Sequence, residues 1–234
     1  MFILALSSAL ASPSATETSE ASEPPDLSGT WKMTLSVTTS AHIPVLGDTL
    51  VVSERVNLVR IVEQDGEILQ HHKTCSVHAD TEQLIAKTTI PDAFVRSLPA
   101  KSYPVDLSWN GAEWRYSADL MPEQMGFTGS TMPSDADDEN VEDSDQDGQP
   151  GVTVLIRVPL FGTIEVYWVQ RAHTLLEGVV EPETITGQAN VLVLEHRIIG
   201  ASNALFKKQP TVVPVDGNTF ILERVPLGTS CQDL

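Results

Sequence analysis

The sequence predicts an all-β domain, folded as an antiparallel β-barrel or a β-sandwich with one or two short helices. Three observations carry this. After Asp26 nearly every segment alternates apolar and polar residues with the period of two that strands require. Turn dipeptides, Asp65-Gly66 and Asn110-Gly111, fall between such segments. Helical patterning is confined to PDAFVRSL, Pro91 to Leu98, and SNALFKK, Ser202 to Lys208. Many short strands joined by Gly/Pro turns are the mark of a barrel or sandwich.

Residues 1–11, MFILALSSALA, pass from an apolar run at Phe2 to Leu6 into Ala9-Leu10-Ala11, the small-residue pattern of signal-peptidase cleavage. The usual basic n-region is reduced to the amino terminus. The run is too short to span a bilayer, and no cysteine follows it to take a lipid. Residues 12–25, SPSATETSEASEPP, read as a solvated tether. The domain is expected over 26–234, with an acidic insertion at 119–151. A secreted or periplasmic location follows, and in it the two cysteines, Cys75 and Cys231, are expected to form a disulfide. Closing so long a loop contributes on the order of 5 kcal/mol in the chain-entropy account.

Along the domain, strands are expected in GTWKMTLSV, TLVVSERVNLVRIVEQ, EILQHHKTCSV, QLIAKTTI, VTVLIRV, TIEVYWVQ, HTLLEGVV, ITGQANVLVLEHRII and NTFILERV. The most informative piece is VDLSWNGAEWRY. A two-residue turn at Asn110-Gly111 sets Trp109 opposite Ala112, Leu107 opposite Trp114 and Val105 opposite Tyr116, all on one face. At Asp65-Gly66, loops of two or three residues give different pairings, and both remain open. Three stretches share a proline–glycine–threonine form: Ile43 to Thr49, Val158 to Thr163 and Val225 to Thr229. Each is expected to end a strand, turn and restart one.

The opening of the domain, DLSGTW, resembles the first-strand signature of the lipocalin and wider calycin group, with Gly29 and Trp31 as its G-x-W. The resemblance implies a barrel whose closed end is plugged by the tryptophan under a late arginine, a part assigned to Arg224, around a small apolar ligand. The chain lacks that group's central T-D-Y-type motif and is longer than its smallest members.

DSDQDGQPGVTV, Asp143 to Val154, is similar to a calcium loop. In a helix-loop-helix hand, oxygens come from loop positions one, three, five, seven and twelve, with glycine at six. Asp143, Asp145 and Asp147 fill the first three, Gly148 takes the bend and Gln149 offers its carbonyl. Val154 at position twelve cannot coordinate, Pro150 removes a backbone donor, and VTVLIRV is a strand rather than an exiting helix. The expectation is therefore a D-x-D-x-D-G clamp at a strand entry. Its missing ligands are sought among Asp135, Asp137, Asp138, Glu139 and Glu142, with Asp137 and Asp138 the favoured pair. Structural Ca2+ at extracellular-type affinity, roughly 10⁻⁴ to 10⁻³ M, is the cofactor this predicts.

Other candidates are weaker chemically. His71, His72, Cys75 and His78 lie in one strand. Alternation puts His72 and His78 on one face about 20 Å apart, too far to share an ion, so surface histidines are expected unless His173 or His196 completes a site. Met121, Met125 and Met132 are loosely spaced and read as gap fillers. Trp109, Trp114 and Tyr116 share a face that serves either as core or as a ligand wall. No G-x-S-x-G, H-E-x-x-H, S-x-x-K or phosphate-cradling glycine loop is present.

With 32 acidic against 14 basic residues, a formal net charge of -18, the chain repels nucleic acid and anionic surfaces and attracts cations. The expected function is an exported, non-enzymatic, calcium-binding β-barrel holding a small apolar ligand. The alternatives are a structural or interaction protein of the cell envelope or exterior, with a filled core and calcium as a folding clamp, and an exported hydrolase.

Overall fold

The computed structural model describes residues 23–43, 47–81, 87–159 and 161–234. The predicted signal peptide, the tether up to residue 22, the first half of QLIAKTTI and parts of two of the Pro–Gly–Thr stretches lie outside the described residues.

The strands are β1 (Gly29–Ile43), β2 (Gly47–Gln64), β3 (Glu67–Thr81), β4 (Lys87–Thr89), β5 (Lys101–Trp109), β6 (Trp114–Asp119), β7 (Glu123–Met125), β8 (Val152–Val158), β9 (Gly162–Val180), β10 (Thr184–Ala201), β11 (Thr211–Pro214) and β12 (Thr219–Val225). Helix α1 (Asp92–Ser97) and a 3-10 turn at Ala204–Phe206 occupy the two places where helical patterning was seen. TIEVYWVQ and HTLLEGVV, read as two strands, are one continuous strand, β9.

Eight strands close into a ring. β1, β2, β3, β5, β6, β9, β10 and β12 hydrogen-bond in that order, each antiparallel to the next, and β12 returns to β1. A ring has no free edge to satisfy, and eight strands leave an interior that side chains either fill or line around one small ligand. β5, β6 and β12 are short and serve only one half of it. Beyond them the long strands β1, β2, β3, β9 and β10 continue, and short pieces take over their edges. β11 succeeds β12 on β1, while β7 and then β8 succeed β6 on β9. β4 adds to β8.

The short-stranded half is packed solid. Trp31, Met33, Val59, Ile61, Tyr116, Leu176, Ile185 and Leu222 are each at most 1% exposed and belong to one cluster. Trp31 donates from Nε1 to the Leu27 carbonyl at 3.0 Å. Arg224 lies over its ring, 4.3 Å from the centroid, and donates to the carbonyls of Ser28 and Asp26. Gly29 makes this possible: a Cβ there would sit 2.8 Å from Arg224 Nη1.

Local registers refine the sequence expectations. The Asp65-Gly66 turn is a two-residue loop, with Gln64 opposite Glu67 and positive φ at both turn residues. In the Asn110-Gly111 hairpin, by contrast, the loop has four residues, 110–113, and Trp109 faces Trp114 while Leu107 faces Tyr116. The cause is the Asn110 side chain, whose Oδ1 accepts from the backbone N–H of both Ala112 and Glu113. That pulls two residues out of the ladder. A shift of two preserves the faces, so the aromatic sorting survives the changed pairing.

Cys75 and Cys231 form the expected disulfide. Cys75 is the extra residue of a β-bulge: Val56 pairs with Ser76 and Asn57 with Thr74. The bulge reverses the phase of β3. Below it Gln70, His72 and Thr74 are buried; above it Val77 and Ala79 point inward. His72 and His78 therefore lie on opposite faces, contrary to simple alternation. His72 is a core residue rather than a surface one. Of the three Pro–Gly–Thr stretches, the first two join β1 to β2 and β8 to β9, whereas no strand restarts at Thr229. No helix among the described residues is long and apolar enough to cross a membrane.

Candidate functional site

Where β5, β6 and β12 give out, the interior opens into a cavity of about 350 Å³. Its walls are the inward columns of the long strands: Leu35, Val37 and Ala41 of β1, Val51 and Ser53 of β2, Val166 to Thr174 at alternate positions of β9, and Val191 to Ile198 of β10. Phe94 within α1 and Leu98 just after it cover one side. The size falls within the range of sites that enclose a small ligand, and the lining is predominantly aliphatic, as such sites are.

The floor is polar and fixed. Arg55 of β2 and Glu123 of β7 both line the cavity and pair at 2.8 Å. β7 lies on β9, which stands four strands from β2 by either route round the ring, so this pair spans the interior. Glu123 is fully engaged: Oε2 takes Arg55, and Oε1 takes the Tyr103 hydroxyl at 2.7 Å and Lys101 Nζ at 3.2 Å. Burial pushes the Glu123 carboxyl up, but Arg55, Lys101 and the Tyr103 hydroxyl outweigh it and hold it at about 2. The same burial and the Glu123 charge push Tyr103 well above its ordinary range. Arg55 Nε donates to both Asn57 Oδ1 and Thr74 Oγ1. Beneath the pair, His72 stands edge-on to Tyr103; burial first, then Arg55, depresses it to about 3, so it is neutral. Higher in the wall, His196 packs against Trp168, rings tilted with centroids 4.7 Å apart, and is depressed by burial to about 4.

The second feature is the acidic turn before β8. Carboxylate oxygens of Asp143, Asp145 and Asp147 lie within 4.8 Å of one another. Asp143 spans the turn, accepting from Asp147 N and Gly148 N. Asp147 accepts from Gln149 N. Asp145 is 5% exposed; its Oδ2 accepts from Thr153 N at the start of β8, while its Oδ1 is buried with no hydrogen-bond partner. Burial, followed by the charges of Asp147 and Asp143, raises its carboxyl above the usual range. Gly151 seats the turn on β9, since a Cβ there would meet the Trp168 carbonyl at 2.6 Å. Three carboxylates, one of them with a buried and unpaired oxygen, suit a divalent cation with oxygen preference. Asp137 and Asp138 are not drawn into this group. Asp138 Oδ1 takes Asn140 N, and Asp137 N is bound by Asp135, so each belongs to its own upstream turn.

The remaining sequence candidates disperse. Tyr116 is buried in the solid half, donating to Gln70 Oε1. Trp109 and Trp114 pack with their rings tilted by 52° and centroids 5.9 Å apart beside the hairpin loop, and none of the three lines the cavity. His71 binds Ser102, and His173 pairs with Asp119 at 2.6 Å. Among the described residues, no second group of metal-ligating side chains forms. Met121 and Met125 do line the cavity, and Met132 packs near Phe127. Sequence reasoning missed Arg55, Glu123 and the small-residue columns. The signal was present: inward positions change from Trp, Met and Tyr to Val, Thr, Ala and Ser where the cavity begins.

Comparisons of the chain with family models, with curated proteins and with solved structures find no match.

Proposed function

We propose that this chain is an exported, calcium-stabilised β-barrel that holds a small apolar ligand in its open half. The observation that carries this reading is the aliphatic cavity inside a closed eight-strand ring whose other half is filled. A purely structural barrel has no need to leave one half hollow, because an unfilled interior forfeits packing contacts. The disulfide fits an oxidising compartment outside the cytoplasm. The pairing of Gly29 and Trp31 with Arg224 supports the likeness to the lipocalin group. Calcium is assigned to Asp143, Asp145 and Asp147, which would order the strand entry rather than transmit a signal.

A neutral apolar fluorophore tests the cavity. It is expected to bind one per chain with a blue-shifted emission, and Ala172→Phe, which places a ring in the cavity, is expected to abolish binding while the melting temperature holds or rises. Undiminished binding in a folded Ala172→Phe protein would place the apolar site elsewhere.

A further inference from the structure

The floor of the cavity carries more information than its walls. Among the described residues that line it, Arg55 and Glu123 alone are charged. His196 and His72 are neutral, and the remaining lining residues are aliphatic, aromatic or uncharged polar. Two cations, Arg55 and Lys101, thus face one carboxylate, Glu123. Lys101 reaches Glu123 from outside the lining, with its side chain 31% exposed, so the cluster as a whole carries one excess positive charge at the polar end of an otherwise apolar space.

Hydrogen bonding points the same way. Both Glu123 oxygens are occupied, so the floor offers no free carboxylate to a cationic ligand. Arg55 Nε and Nη1 are committed to Asn57, Thr74 and Glu123, and Nη2 has no partner among the described residues. A guanidinium held by two anchors and left with a free donor is preorganised to receive an acceptor, and the ion pair behind it fixes its plane. An acceptor that is also an anion balances the residual charge, whereas an ammonium is repelled by it.

We propose that the ligand is a single-headed anionic amphiphile, an alkyl or alkenyl carboxylate, whose carboxylate sits against Arg55 on the cavity floor with its chain along the aliphatic walls. This rests on the cavity being the ligand site. The volume, about 350 Å³, holds roughly a dozen water- or methylene-sized groups, which sets the chain at medium length. A head carrying two charges would exceed the cluster's single excess cation, and a neutral acceptor would meet the guanidinium donor without balancing that charge.

The test is a displacement series on the unaltered protein, with a neutral apolar fluorophore as reporter and three twelve-carbon competitors: dodecanoate, methyl dodecanoate and dodecylammonium. Dodecanoate is expected to displace the reporter on the order of tenfold more tightly than the ester, a typical gain for a hydrogen bond to a charged group. Dodecylammonium is expected to be the weakest of the three. The ratio of carboxylate to ester affinity in Arg55→Gln is expected to fall towards one. Equal binding of ester and carboxylate, or a ratio unchanged in Arg55→Gln, overturns the head-group assignment while leaving the cavity reading intact. A reporter that never binds overturns the cavity reading itself. Because the three-ligand series needs no variant, the proposal stays falsifiable if Arg55→Gln fails to fold.

Discussion

The two halves of this barrel are built from the same strands and hold different contents. β2 shows the contrast within one column: Ile61 and Val59 are 1% and 0% exposed in the solid half, Asn57 is buried at the boundary, and Arg55, Ser53 and Val51 line the cavity. β1 repeats it, from Trp31 and Met33 to Val37, Thr39 and Ala41. Strand periodicity is identical throughout, so periodicity does not separate a filled barrel from a hollow one. Side-chain volume does. An eight-strand ring has a fixed bore; large inward residues close it, and a run of small ones leaves it open. Arg55 and Glu123 mark the change, because a paired charge at the boundary is stable only where the apolar packing ends and hydrogen bonds are available.

The sharpest way to break this comparison is to make one truncation in each half. Leu222→Ala removes a fully buried side chain from the solid cluster and is expected to cost about 3–4 kcal/mol. Leu194→Ala removes a side chain that already faces empty space and is expected to cost about 1 kcal/mol, since fewer packing contacts are lost. Urea denaturation of both variants at pH 7 gives the two values. Equal costs would mean that the open half is packed as tightly as the closed one.

The next effect, about 2 kcal/mol, belongs to the wall of the open half. Burial holds His196 at about 4 in the fold against 6.5 in the unfolded chain. The unfolded state therefore binds the proton first as pH falls, and the histidine's contribution is full above 6.5 and is lost progressively from there towards 4. His196→Phe keeps a ring against Trp168 and removes the titration. Its stability relative to the parent is expected to rise by about 2 kcal/mol between pH 7 and pH 4.5. The difference between the two proteins isolates this from the relief of acidic self-repulsion, which acts on both. A difference constant with pH would mean that His196 is solvated.

Much of this architecture is legible in the sequence. Alternation located the strands, Asp65-Gly66 located a tight turn, and Trp31 and Arg224, singled out in the sequence, meet in the solid half. What escaped depends on single local events that alternation does not register. The bulge at Cys75 reverses the face of every β3 residue beyond it, so His78 points outward although His72, before the bulge and opposite Val59, faces the core. The Asn110 side chain lengthened a hairpin loop by satisfying two backbone donors itself. Arg55 and Glu123 are 68 positions apart and meet only because the ring brings β7 across from β2. The acidic turn is the opposite case: its three carboxylates are within five residues, so the sequence placed them together, while the longer-range ligands expected from Asp137 and Asp138 did not join them.

That turn gives the smallest effect and the most selective one. Asp145 anchors Thr153, next to Val154 in the cavity wall, yet it holds a buried oxygen with no partner beside two other carboxylates. Without a cation this is a liability, because a desolvated carboxylate among like charges is costly. With one it becomes a ligand. Calcium at ten times its dissociation constant is expected to stabilise the protein by about 1.4 kcal/mol, a rise of about 3–5 °C in melting temperature, and chelator is expected to reverse it. Asp145→Asn keeps the shape and the acceptor for Thr153 while removing the charge. It is expected to melt about 2 °C higher than the parent in chelator and to show no calcium shift. Asp143→Ala with Asp145→Ala is expected to lose the shift as well, but to melt lower in chelator, since both backbone anchors of the turn go with it. An Asp145→Asn protein that still responds fully to calcium would move the ion away from this turn. One that is less stable than the parent in chelator would show that Asp145 is settled without an ion, and that the turn is held by its hydrogen bonds alone.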